Sequence, residues 1–385
     1  MRNFIYHNPT KIIFGENVLY KISAEIPANA RIMLTYGGGS IKKNGIYHQV
    51  VSVLEDFFFI EFGGIEPNPQ YSTLMKAVDL CRKEKIDFLL SVGGGSVLDG
   101  TKFIAAASLF DGEPWDILEN QLKVTSVIPF GAVLTLPATG SEMNAFAVIS
   151  RKETGQKLDF GTPPFTYPRF SVLDPNFTRT LPHSQRINGV IDAFVHVTEQ
   201  YLTFQQNAPL NDRFAEAIMK TLIEEGLNYV NEPENMTVAK NIMWCSTMAL
   251  NGLIATGLIT DWATHKIGHE LTVLHNIDHA STLAIVWPGM MRVMSQIKKE
   301  KLLQYAERIW DINNGDDEER IEKAISKTEA FFISLGAKTR LSDYKLNKTT
   351  IVQVVENLKR NGFVAIGEQK LVTPEKVIAI LESRI

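Results

Sequence analysis

The sequence predicts two domains of different class: an α/β domain with a parallel sheet over residues 1–180, and an all-helical domain over residues 181–385. Three observations support this. Up to about residue 180, short apolar runs that end in glycine or proline clusters alternate with helical patterns. These runs are continuously apolar, as strands covered by helices on both faces of a sheet must be. Beyond Leu181-Pro182 the apolar residues follow helical spacing, and 385 residues suit two domains with separate cores.

The predicted strands of the first domain each end in a polar or glycine-rich loop. They are the runs RIMLTYGGGS, FFFIEFGGIEPNP, DFLLSVGGGS and AVLTLPATGS, and with the helices between them they predict a doubly wound, Rossmann-like sheet. Helices of the second domain are predicted at RFAEAIMKTLIEEGLNYV, NIMWCSTMALNGLIA, KLLQYAERIW, RIEKAISKTEAFFISLGA and TTIVQVVENLKRNG. The N-terminal FIYHNPTKIIFG predicts two short strands around an Asn-Pro turn. An exposed edge of this kind requires a partner, for which a second subunit is a candidate.

The composition excludes several classes of partner. The net charge of −4, from 39 basic and 43 acidic residues, provides no electrostatic footprint for nucleic acid or an anionic membrane. The sequence has no long apolar run, and its start lacks the apolar core of a signal peptide. Only two cysteines are present, Cys81 and Cys245, so we expect no disulfide framework and a cytoplasmic protein.

The sequence Gly-Gly-Gly-Ser occurs twice, at residues 37–40 and 93–96, each time directly after a predicted strand. Neither copy fits the G-x-G-x-x-G dinucleotide fingerprint, and a tight turn alone would also use glycines. Two copies at the ends of parallel strands nevertheless indicate a ligand site. In the second copy, the amides of Gly94, Gly95 and Ser96 at the start of a helix are predicted to bind a pyrophosphate.

The first copy, TYGGGSIKK, favours NADP(H) over NAD(H). An NAD site usually places an Asp or Glu near the end of such a strand, where it accepts a hydrogen bond from the ribose 2′-hydroxyl and repels a 2′-phosphate. Here that position has bare amides and a hydroxyl, followed by Lys42 and Lys43. The predicted nucleotide-binding residues of this loop are Gly37, Gly38, Gly39 and Ser40.

A third strand end, LTLPATGSEMNA, supplies short hydrogen-bonding side chains suited to a ribose and a nicotinamide amide. The candidates are Thr135, Thr139, Ser141 and Asn144. Taken alone, this segment is equally a polar loop with an incomplete helix cap. Lys102, on the helix that follows the second glycine cluster, either adds positive charge to the cofactor site or is a solvated lysine.

The stretch DWATHKIGHELTVLHNIDHAST carries four of the eight histidines of the chain. His265 and His269 stand at i, i+4 and share a helical face, as do Asp192 and His196 in NGVIDAFVHVTEQYL. Imidazole together with one carboxylate suits Fe2+ or Zn2+. The spacing leaves open which three imidazoles bind, and a chance cluster of core and surface histidines is the alternative. A zincin peptidase is disfavoured because Lys266 stands where its catalytic Glu would be.

Together, the motifs GGGSVLDGTK, LPATGSEMN, DAFVHVTEQY and DWATHKIGHELTVLHNIDHASTLAIVWP resemble those of the iron-containing (group III) alcohol dehydrogenases. The resemblance covers nearly the whole chain and is greatest to the branch of NADPH-dependent aldehyde reductases and butanol dehydrogenases. It implies the dehydroquinate synthase-like fold of that family, with a parallel-sheet N-terminal domain and a helical C-terminal domain. It also implies homodimers joined through N-terminal strands.

The resemblance further assigns roles to individual residues. The four metal ligands of the family fall on Asp192, His196, His265 and His279. His269 matches a histidine that lies beside the substrate, and either it or a water chain is the candidate proton relay. The resemblance also implies three cofactor contacts, at Asn68, Asp99 and Lys157. His275 receives no role, and its position suggests a surface residue.

The implied reaction is the reversible reduction of a small aldehyde to a primary alcohol by NADPH, with Fe2+ or Zn2+ as Lewis acid. Candidate substrate-lining residues, which are equally candidates for the core, are Phe146, Phe160, Phe165 and Trp262. One alternative is an NADH-dependent butanol or polyol dehydrogenase, or a dehydroquinate synthase-like lyase, on the same scaffold. A polyol enzyme or lyase would need a more polar pocket or phosphate-binding basic residues. The other is a non-catalytic nucleotide- or metal-binding sensor, which a missing ligand or cofactor loop would indicate.

Overall fold

The computed structural model describes residues 1–385. Its strands are β1 Lys11–Phe14, β2 Arg31–Tyr36, β3 Phe58–Phe62, β4 Phe88–Gly93, β5 Phe130–Leu134, β6 Phe146–Arg151, β7 Gln156–Gly161 and β8 Phe170–Leu173. Its α-helices are α1 Ser40–Lys43, α2 Ile46–Val53, α3 Tyr71–Glu84, α4 Gly95–Ala107, α5 Asp116–Glu119, α6 His183–Tyr201, α7 Pro209–Asn231, α8 Met236–Ala249, α9 Ala263–His275, α10 His279–Val293, α11 Lys299–Trp310, α12 Asp317–Ser334, α13 Lys348–Arg360 and α14 Pro374–Glu382. Short 3-10 helices span Leu19–Ala24, Ser141–Met143, Pro175–Thr178 and Ser342–Tyr344.

The chain divides into two compact units, and each consists of more than one segment. The sheet-containing unit comprises His7–Pro182 and Pro233–Asn251, so it includes α8. The helical unit comprises Met1–Tyr6, His183–Glu232 and Gly252–Ile385. The boundary expected after residue 180 stays a prediction. The division by packing differs from it in two segments, because α8 belongs to the sheet-containing unit and Met1–Tyr6 belongs to the helical unit.

The main sheet has six strands in the order β1-β8-β5-β4-β2-β3, and every pairing is parallel. The predicted parallel sheet is therefore confirmed. The chain runs from β2 to β3, which lies beside β2 at one edge of the sheet. It then crosses to β4, on the opposite side of β2, and continues to β5. The strand order thus reverses between β2 and β4. In doubly wound sheets, ligands bind at the carboxyl ends of the strands at such a point.

Helices cover both faces of this sheet, which explains why its strands are apolar throughout. Adjacent residues of β4 point to opposite faces: Leu89 packs in one core cluster with α3 and α4, and Leu90 packs in another with α2. All six residues of β4 and all five of β5 are buried. The antiparallel hairpin β6–β7 forms a second, two-stranded sheet.

Of the two short strands predicted around the Asn8-Pro9 turn, only the second forms, as β1 at one edge of the main sheet. Residues 4–7 are not a strand, because a strand needs a neighbour for its backbone hydrogen bonds and the single chain provides none here. The Asn8 side chain instead donates hydrogen bonds to the carbonyls of Met143 and Asn251, at 2.8 and 3.1 Å.

The helical unit is built around α6, which is buried over nearly its whole length from Arg186 to Tyr201. It packs against α7 and α10, while α9 packs against α10 and α13. The predicted helical character of the second half is confirmed. None of the helices combines the length and the apolar character that are needed to cross a lipid bilayer.

Candidate metal centre and cofactor loops

The helix α6 provides the first pair of predicted metal ligands. Asp192 and His196 lie one turn apart on it and both are buried. Asp192 Oδ1 is 3.7 Å from His196 Nδ1. The i, i+4 spacing therefore places both side chains on the same helix face, as the sequence predicted.

The helices α9 and α10 bring two more predicted ligands to this face. His265 lies in the first turn of α9, and His279 is the first residue of α10. Donor atoms of Asp192, His265 and His279 all lie within 4.8 Å of one another, and His279 Nε2 is 3.6 Å from Asp192 Oδ1. The His196 ring lies beside this group, its centroid 4.6 Å from that of His265. All four predicted ligands are therefore together.

The donor atoms fit a bound divalent cation. Metal–ligand bonds of about 2.1 Å place the donors of a tetrahedral site about 3.4 Å apart. The separation of 3.6 Å between Asp192 Oδ1 and His279 Nε2 is close to that value. Burial lowers the pKa of His196 to about 4, against the opposing effect of the Asp192 carboxylate, so the imidazole is neutral and keeps a lone pair for a cation. A carboxylate with imidazoles suits Fe2+ or Zn2+.

A buried carboxylate that the sequence analysis missed supports this centre. Glu199 follows His196 by three residues on α6 and contacts His265 Nδ1 through Oε2. Burial raises the pKa of Glu199 well above its usual range, the nearby Asp261 carboxylate adds to this, and backbone N–H groups of Thr264 and His265 oppose it. Its i+3 spacing from His196 could have placed Glu199 near the predicted ligands. Its contact with His265 could not be predicted in this way, because His265 lies on another helix.

Two further side chains border the histidine group. His269, one turn after His265, is buried, and its ring centroid is 5.2 Å from that of His279 and 6.3 Å from that of His265. The Trp262 ring lies edge-on to the His265 ring at 5.2 Å and donates from Nε1 to Thr260 Oγ1. His275 is half-buried at the end of α9 and is therefore not a fully exposed surface residue.

In the sheet-containing unit, three of the predicted cofactor loops lie side by side. Residues 37–40 follow β2, residues 94–96 begin α4 directly after β4, and Thr135 follows β5. These strands are neighbours in the sheet, and the reversal in strand order falls between β2 and β4. The loops therefore meet where an open parallel sheet binds its ligands.

Close packing requires the glycines of the second loop. A Cβ atom on Gly95 would lie 2.6 Å from the Thr139 side chain, and one on Gly93 would lie 2.5 Å from Val97. The loop after β4 therefore lies directly against the loop after β5. Gly39 precedes α1 with a φ of 90°, a left-handed conformation that favours glycine. The start of α4 presents backbone amides and the positive end of a helix dipole, which together suit a phosphate.

Asn68 and Lys157, two of the residues implied by the resemblance, are in contact with each other. Lys157 Nζ donates to Asn68 Oδ1 at 2.8 Å, and the Asn68 backbone N–H lies 3.4 Å from Ser96 Oγ. Asn68 has a φ of 56°. These contacts join β7 and the loop before α3 to the first turn of α4, so both residues lie beside the predicted pyrophosphate loop.

The buried Ser141 and Asn144 and the half-buried Asp99 form a network around Lys102. The Lys102 ammonium is fully buried and donates to Ser141 Oγ, Asn144 Oδ1 and the Phe146 carbonyl, at 2.8, 3.1 and 2.7 Å. Asp99 accepts hydrogen bonds from Ser141 Oγ and the Val148 backbone N–H. The prediction of a solvated Lys102 is wrong, since its ammonium is buried and bonded to three protein oxygens. Its contribution of positive charge to the cofactor site stays a prediction. The network shapes the loop that ends at Asn144.

Beside the first loop, Lys42 is paired with Glu61 on β3. Its ammonium lies 2.8 Å from Glu61 Oε2 and over the rings of Tyr36 and Tyr47. Burial raises the pKa of Glu61, but hydrogen bonds from Lys42, Tyr47 and Tyr36 outweigh it and lower the pKa overall. The charge of Lys42 is therefore matched locally, whereas Lys43 and Ser40 are exposed at the loop.

Among the aromatic residues considered for a substrate pocket, Phe160 belongs to the core, where its ring packs edge-on against Phe103 at 6.2 Å. Phe146 and Phe165 are exposed. Only Trp262 is seen beside the histidine group.

Comparison with known proteins agrees with this arrangement. The model of the iron-containing alcohol dehydrogenases matches residues 9–175, and that of the C-terminal region of the Fe-containing alcohol dehydrogenase family matches residues 186–385. The chain is 53% identical over 376 residues to the NADPH-dependent aldehyde reductase YqhD of Escherichia coli K12, with 97% of each chain covered. It is 41% identical to the probable NADH-dependent butanol dehydrogenase 1 of Bacillus subtilis 168, over the full length of both.

Solved structures show the same similarity. The fold matches the crystal structure of Escherichia coli YqhD with a TM-score of 0.98 and 51% identity, covering 100% of this chain and 99% of the other. It matches NADH-dependent butanol dehydrogenase A of Thermotoga maritima with a TM-score of 0.95 and 34% identity, at the same coverage. The two family models together cover most of the sequence. This chain therefore belongs to the iron-containing alcohol dehydrogenase family.

Proposed function

We propose that this protein reduces small aldehydes to primary alcohols with NADPH as hydride donor, and catalyses the reverse oxidation. The observation that carries the proposal is the cluster of the buried Asp192 and His265 with the half-buried His279. Their donor atoms lie within 4.8 Å of one another, and His196 lies beside them. The relative that is 53% identical over 97% of the chain is an NADPH-dependent aldehyde reductase, which supports the same activity here.

Asp192, His196, His265 and His279 would hold Fe2+ or Zn2+, which supplies a Lewis acid that polarises a carbonyl group. Asp192, His196 and His265 are buried, so the charge of the ion would be screened less than at the surface. His269 lies next to His279 and is the proposed source of the proton that the product alcohol gains. Trp262 provides an apolar wall beside the ligands, which suits an alkyl aldehyde.

The cofactor is proposed to lie on the loops after β2, β4 and β5. The pyrophosphate would contact the amides at Gly94, Gly95 and Ser96, and Asn68 and Lys157 would border the adjoining ribose. The predicted 2′-phosphate site consists of Gly37, Gly38, Gly39 and Ser40, with Lys43 nearby. Glu61 on β3 is paired with Lys42, which reduces its repulsion of a phosphate.

Of the remaining cofactor candidates, Ser141, Asn144 and Asp99 are proposed to act through the shape of the loop after β5. Ser141 and Asn144 are buried and bonded to Lys102. Thr139 packs against Gly95 and accepts from the Ser141 backbone N–H. Thr135, at the end of β5, and Thr139 are partly exposed, and both are proposed to contact the nicotinamide end of the cofactor.

A second candidate function differs only in the cofactor. Relatives that are 41% and 36% identical over nearly their full length are a probable NADH-dependent butanol dehydrogenase and an NADH-dependent butanol dehydrogenase. The ratio of kcat/KM for NADPH to that for NADH separates the two candidates. We expect a ratio above about 10, since a 2′-phosphate bound by amides and a hydroxyl contributes at least ~1.4 kcal/mol.

The test is a spectrophotometric assay with butyraldehyde, before and after chelation and with Fe2+ or Zn2+ restored. We expect NADPH oxidation that chelation abolishes and metal restores. Asp192→Ala should lower kcat/KM by about 10³-fold or more (~4 kcal/mol) and abolish metal retention, with an unchanged circular dichroism spectrum. The absence of turnover of any aldehyde by metal-loaded wild type would favour the sensor alternative, and normal turnover by Asp192→Ala would exclude this ligand assignment.

Three further proposals concern the roles of the two halves of the chain, the localisation and the oligomeric state. Residues 1–180 are proposed to bind the dinucleotide and residues 181–385 the metal. The protein is proposed to be a cytoplasmic homodimer joined through its N-terminal segment, because β1 pairs on one side only and Phe4, Ile5 and Tyr6 are exposed. Light scattering during size-exclusion chromatography tests the dimer. Deletion of residues 2–7 should yield a monomer, and a dimer of unchanged stability after deletion would contradict this interface.

A further inference from the structure

Glu199 connects the two helices that carry most of the metal ligands. It lies on α6, one turn after His196, and is buried. Its carboxylate accepts the Thr264 backbone N–H at 2.7 Å through Oε1 and contacts His265 Nδ1 through Oε2. Its backbone carbonyl accepts the Asp261 N–H at 2.9 Å. One residue of α6 therefore holds the chain at three points over residues 261–265, where α9 begins.

The contact with His265 determines which ring nitrogen remains for a cation. A neutral imidazole has one N–H donor and one lone pair. Beside a bound cation the ionised form of Glu199 is favoured, and its oxygen can then only accept, so the hydrogen lies on Nδ1 and the lone pair on Nε2. A carboxylate behind an imidazole also makes the opposite nitrogen a stronger donor to a metal. Glu199 thus favours the tautomer of His265 that coordinates through Nε2.

An amide in place of this carboxylate would not serve both contacts. The two oxygens of Glu199 each receive an N–H donor, one from Thr264 and one from His265. A glutamine has one oxygen and one NH2 group. If its oxygen accepted from Thr264, its NH2 group would face His265 Nδ1 and favour the opposite tautomer. If its oxygen accepted from His265, the NH2 group would face the Thr264 N–H.

A buried ion cluster holds the other side of the same segment. Lys298 Nζ lies 2.7 Å from Asp261 Oδ2, from Glu368 Oε1 and from the Leu202 carbonyl. Asp261 Oδ1 accepts the Ala263 backbone N–H at 2.7 Å, within the first turn of α9. The backbone of the segment that Glu199 contacts is therefore held from both sides. The orientation of the His265 ring on this backbone then depends on its contact with Glu199.

We propose that Glu199 is a positioning residue for the metal centre: its carboxylate fixes the tautomer and orientation of the His265 imidazole, and thereby sets the affinity of the site for a divalent cation. The inference rests on the proposed function, since it takes His265 as a metal ligand. Glu199 is not proposed to contact the cation, the substrate or the cofactor.

The test compares the affinity of full-length wild type, Glu199→Gln and Glu270→Gln for Zn2+, by competition with a chromophoric chelator. Glu270 is a matched control, because it is a buried carboxyl on α9 whose Oε1 accepts from Asn361 Nδ2 at 3.1 Å. We expect the Kd of Glu199→Gln for Zn2+ to rise by about 10- to 100-fold, which is typical when a metal-binding histidine loses its hydrogen-bond partner. Glu270→Gln should bind as wild type does.

A second measurement needs no substitution at Glu199. It is a 15N NMR spectrum of Zn2+-loaded wild type labelled with 15N-histidine, in which the His265 signals are identified by their loss in His265→Gln. These signals should show a proton on Nδ1 and coordination through Nε2. A proton on Nε2 of His265 overturns the proposal even if Glu199→Gln fails to fold. An unchanged Zn2+ affinity in folded Glu199→Gln also overturns it, while the proposed function stands. If wild type binds no Zn2+ and reduces no aldehyde, both fail.

Discussion

The Lys102 ammonium group has hydrogen-bond partners in all three of its donor directions and no exposure to solvent. Burial lowers its pKa to about 8, while the carboxylates of Asp99 and Glu142 oppose the shift. Burial also raises the pKa of Asp99 and of Glu142. The Lys102 ammonium stabilises both carboxylates, and an ionised carboxylate at such a site would be costly without a cation.

Lys102→Met should therefore destabilise the protein strongly. The substitution removes the donor for Ser141, Asn144 and the Phe146 carbonyl and leaves the buried carboxyls without a cation. We expect the free energy of unfolding, measured by urea titration, to fall by about 3–5 kcal/mol. The control is Lys76→Met, at an exposed position on α3, which should change it by less than about 0.5 kcal/mol. Equal stabilities of the two variants would contradict the role given to Lys102.

Glu368 predicts a pH dependence of stability. Burial, with a further contribution from Asp261, raises its pKa to about 7. Because the native state holds this proton more tightly than the unfolded chain does, the associated stability is fully present below the ordinary pKa of a glutamate and is lost as the pH rises through about 7. Glu368→Gln resembles the protonated form and should lack this loss.

We expect the stability of wild type relative to Glu368→Gln to fall by about 2 kcal/mol between pH 5.5 and pH 8.5. Urea titrations of both proteins at the two pH values measure this difference. The contributions of other titrating groups cancel, because both proteins contain them. A difference that stays constant, or that grows with pH, would show that Glu368 is already ionised at pH 5.5.

At the scale of the elements, the candidate sites depend on where helices begin. The start of α4 is a glycine loop packed against the loop after β5, and the start of α9 is held by Glu199 and Asp261. The start of α10 is held by Asn188 on α6, which donates to Asp278 Oδ2 at 3.1 Å next to His279. Each helix start is therefore fixed by a side chain or loop from another element.

Gly95→Ala tests the first of these helix starts. Its Cβ would lie 2.6 Å from the Thr139 side chain, so the loop after β4 or the loop after β5 must move. We expect the KM for NADPH to rise about 10-fold or more (~1.4 kcal/mol), as measured by steady-state kinetics. The Zn2+ content should not change, because the proposed ligands lie on α6, α9 and α10. An unchanged KM would mean that this loop does not contact the cofactor.

At the scale of the whole molecule, metal binding should contribute to thermal stability. A ligand that binds only the folded state stabilises it by about 2.7 kcal/mol at a free concentration of 100 times Kd. We therefore expect calorimetry to show a higher Tm for Zn2+-loaded than for chelated protein. The shift should be absent in Asp192→Ala and retained in Glu270→Gln. A shift that persisted in Asp192→Ala would place the stabilising ion elsewhere.

The sequence by itself determines the class of each half of the chain and the types of ligand it carries. Apolar periodicity and glycine placement are local properties, so DFLLSVGGGS is sufficient to predict β4 and the loop that begins α4. The i, i+4 spacing of Asp192 and His196 likewise places them on one helix face. The β6–β7 hairpin was not predicted, because FAVISR and QKLDFG lack the strict alternation of apolar and polar residues that indicates a strand.

Only the tertiary structure decides which side chains meet between elements. Glu199 and His265 are 66 residues apart, Asn68 and Lys157 are 89 apart, and Lys102 and Asn144 are 42 apart. No local period relates such pairs, since their contact depends on how whole helices and strands pack. For the same reason, the sequence left Lys102 either at the cofactor site or in solvent, whereas packing of α4 against β6 encloses it.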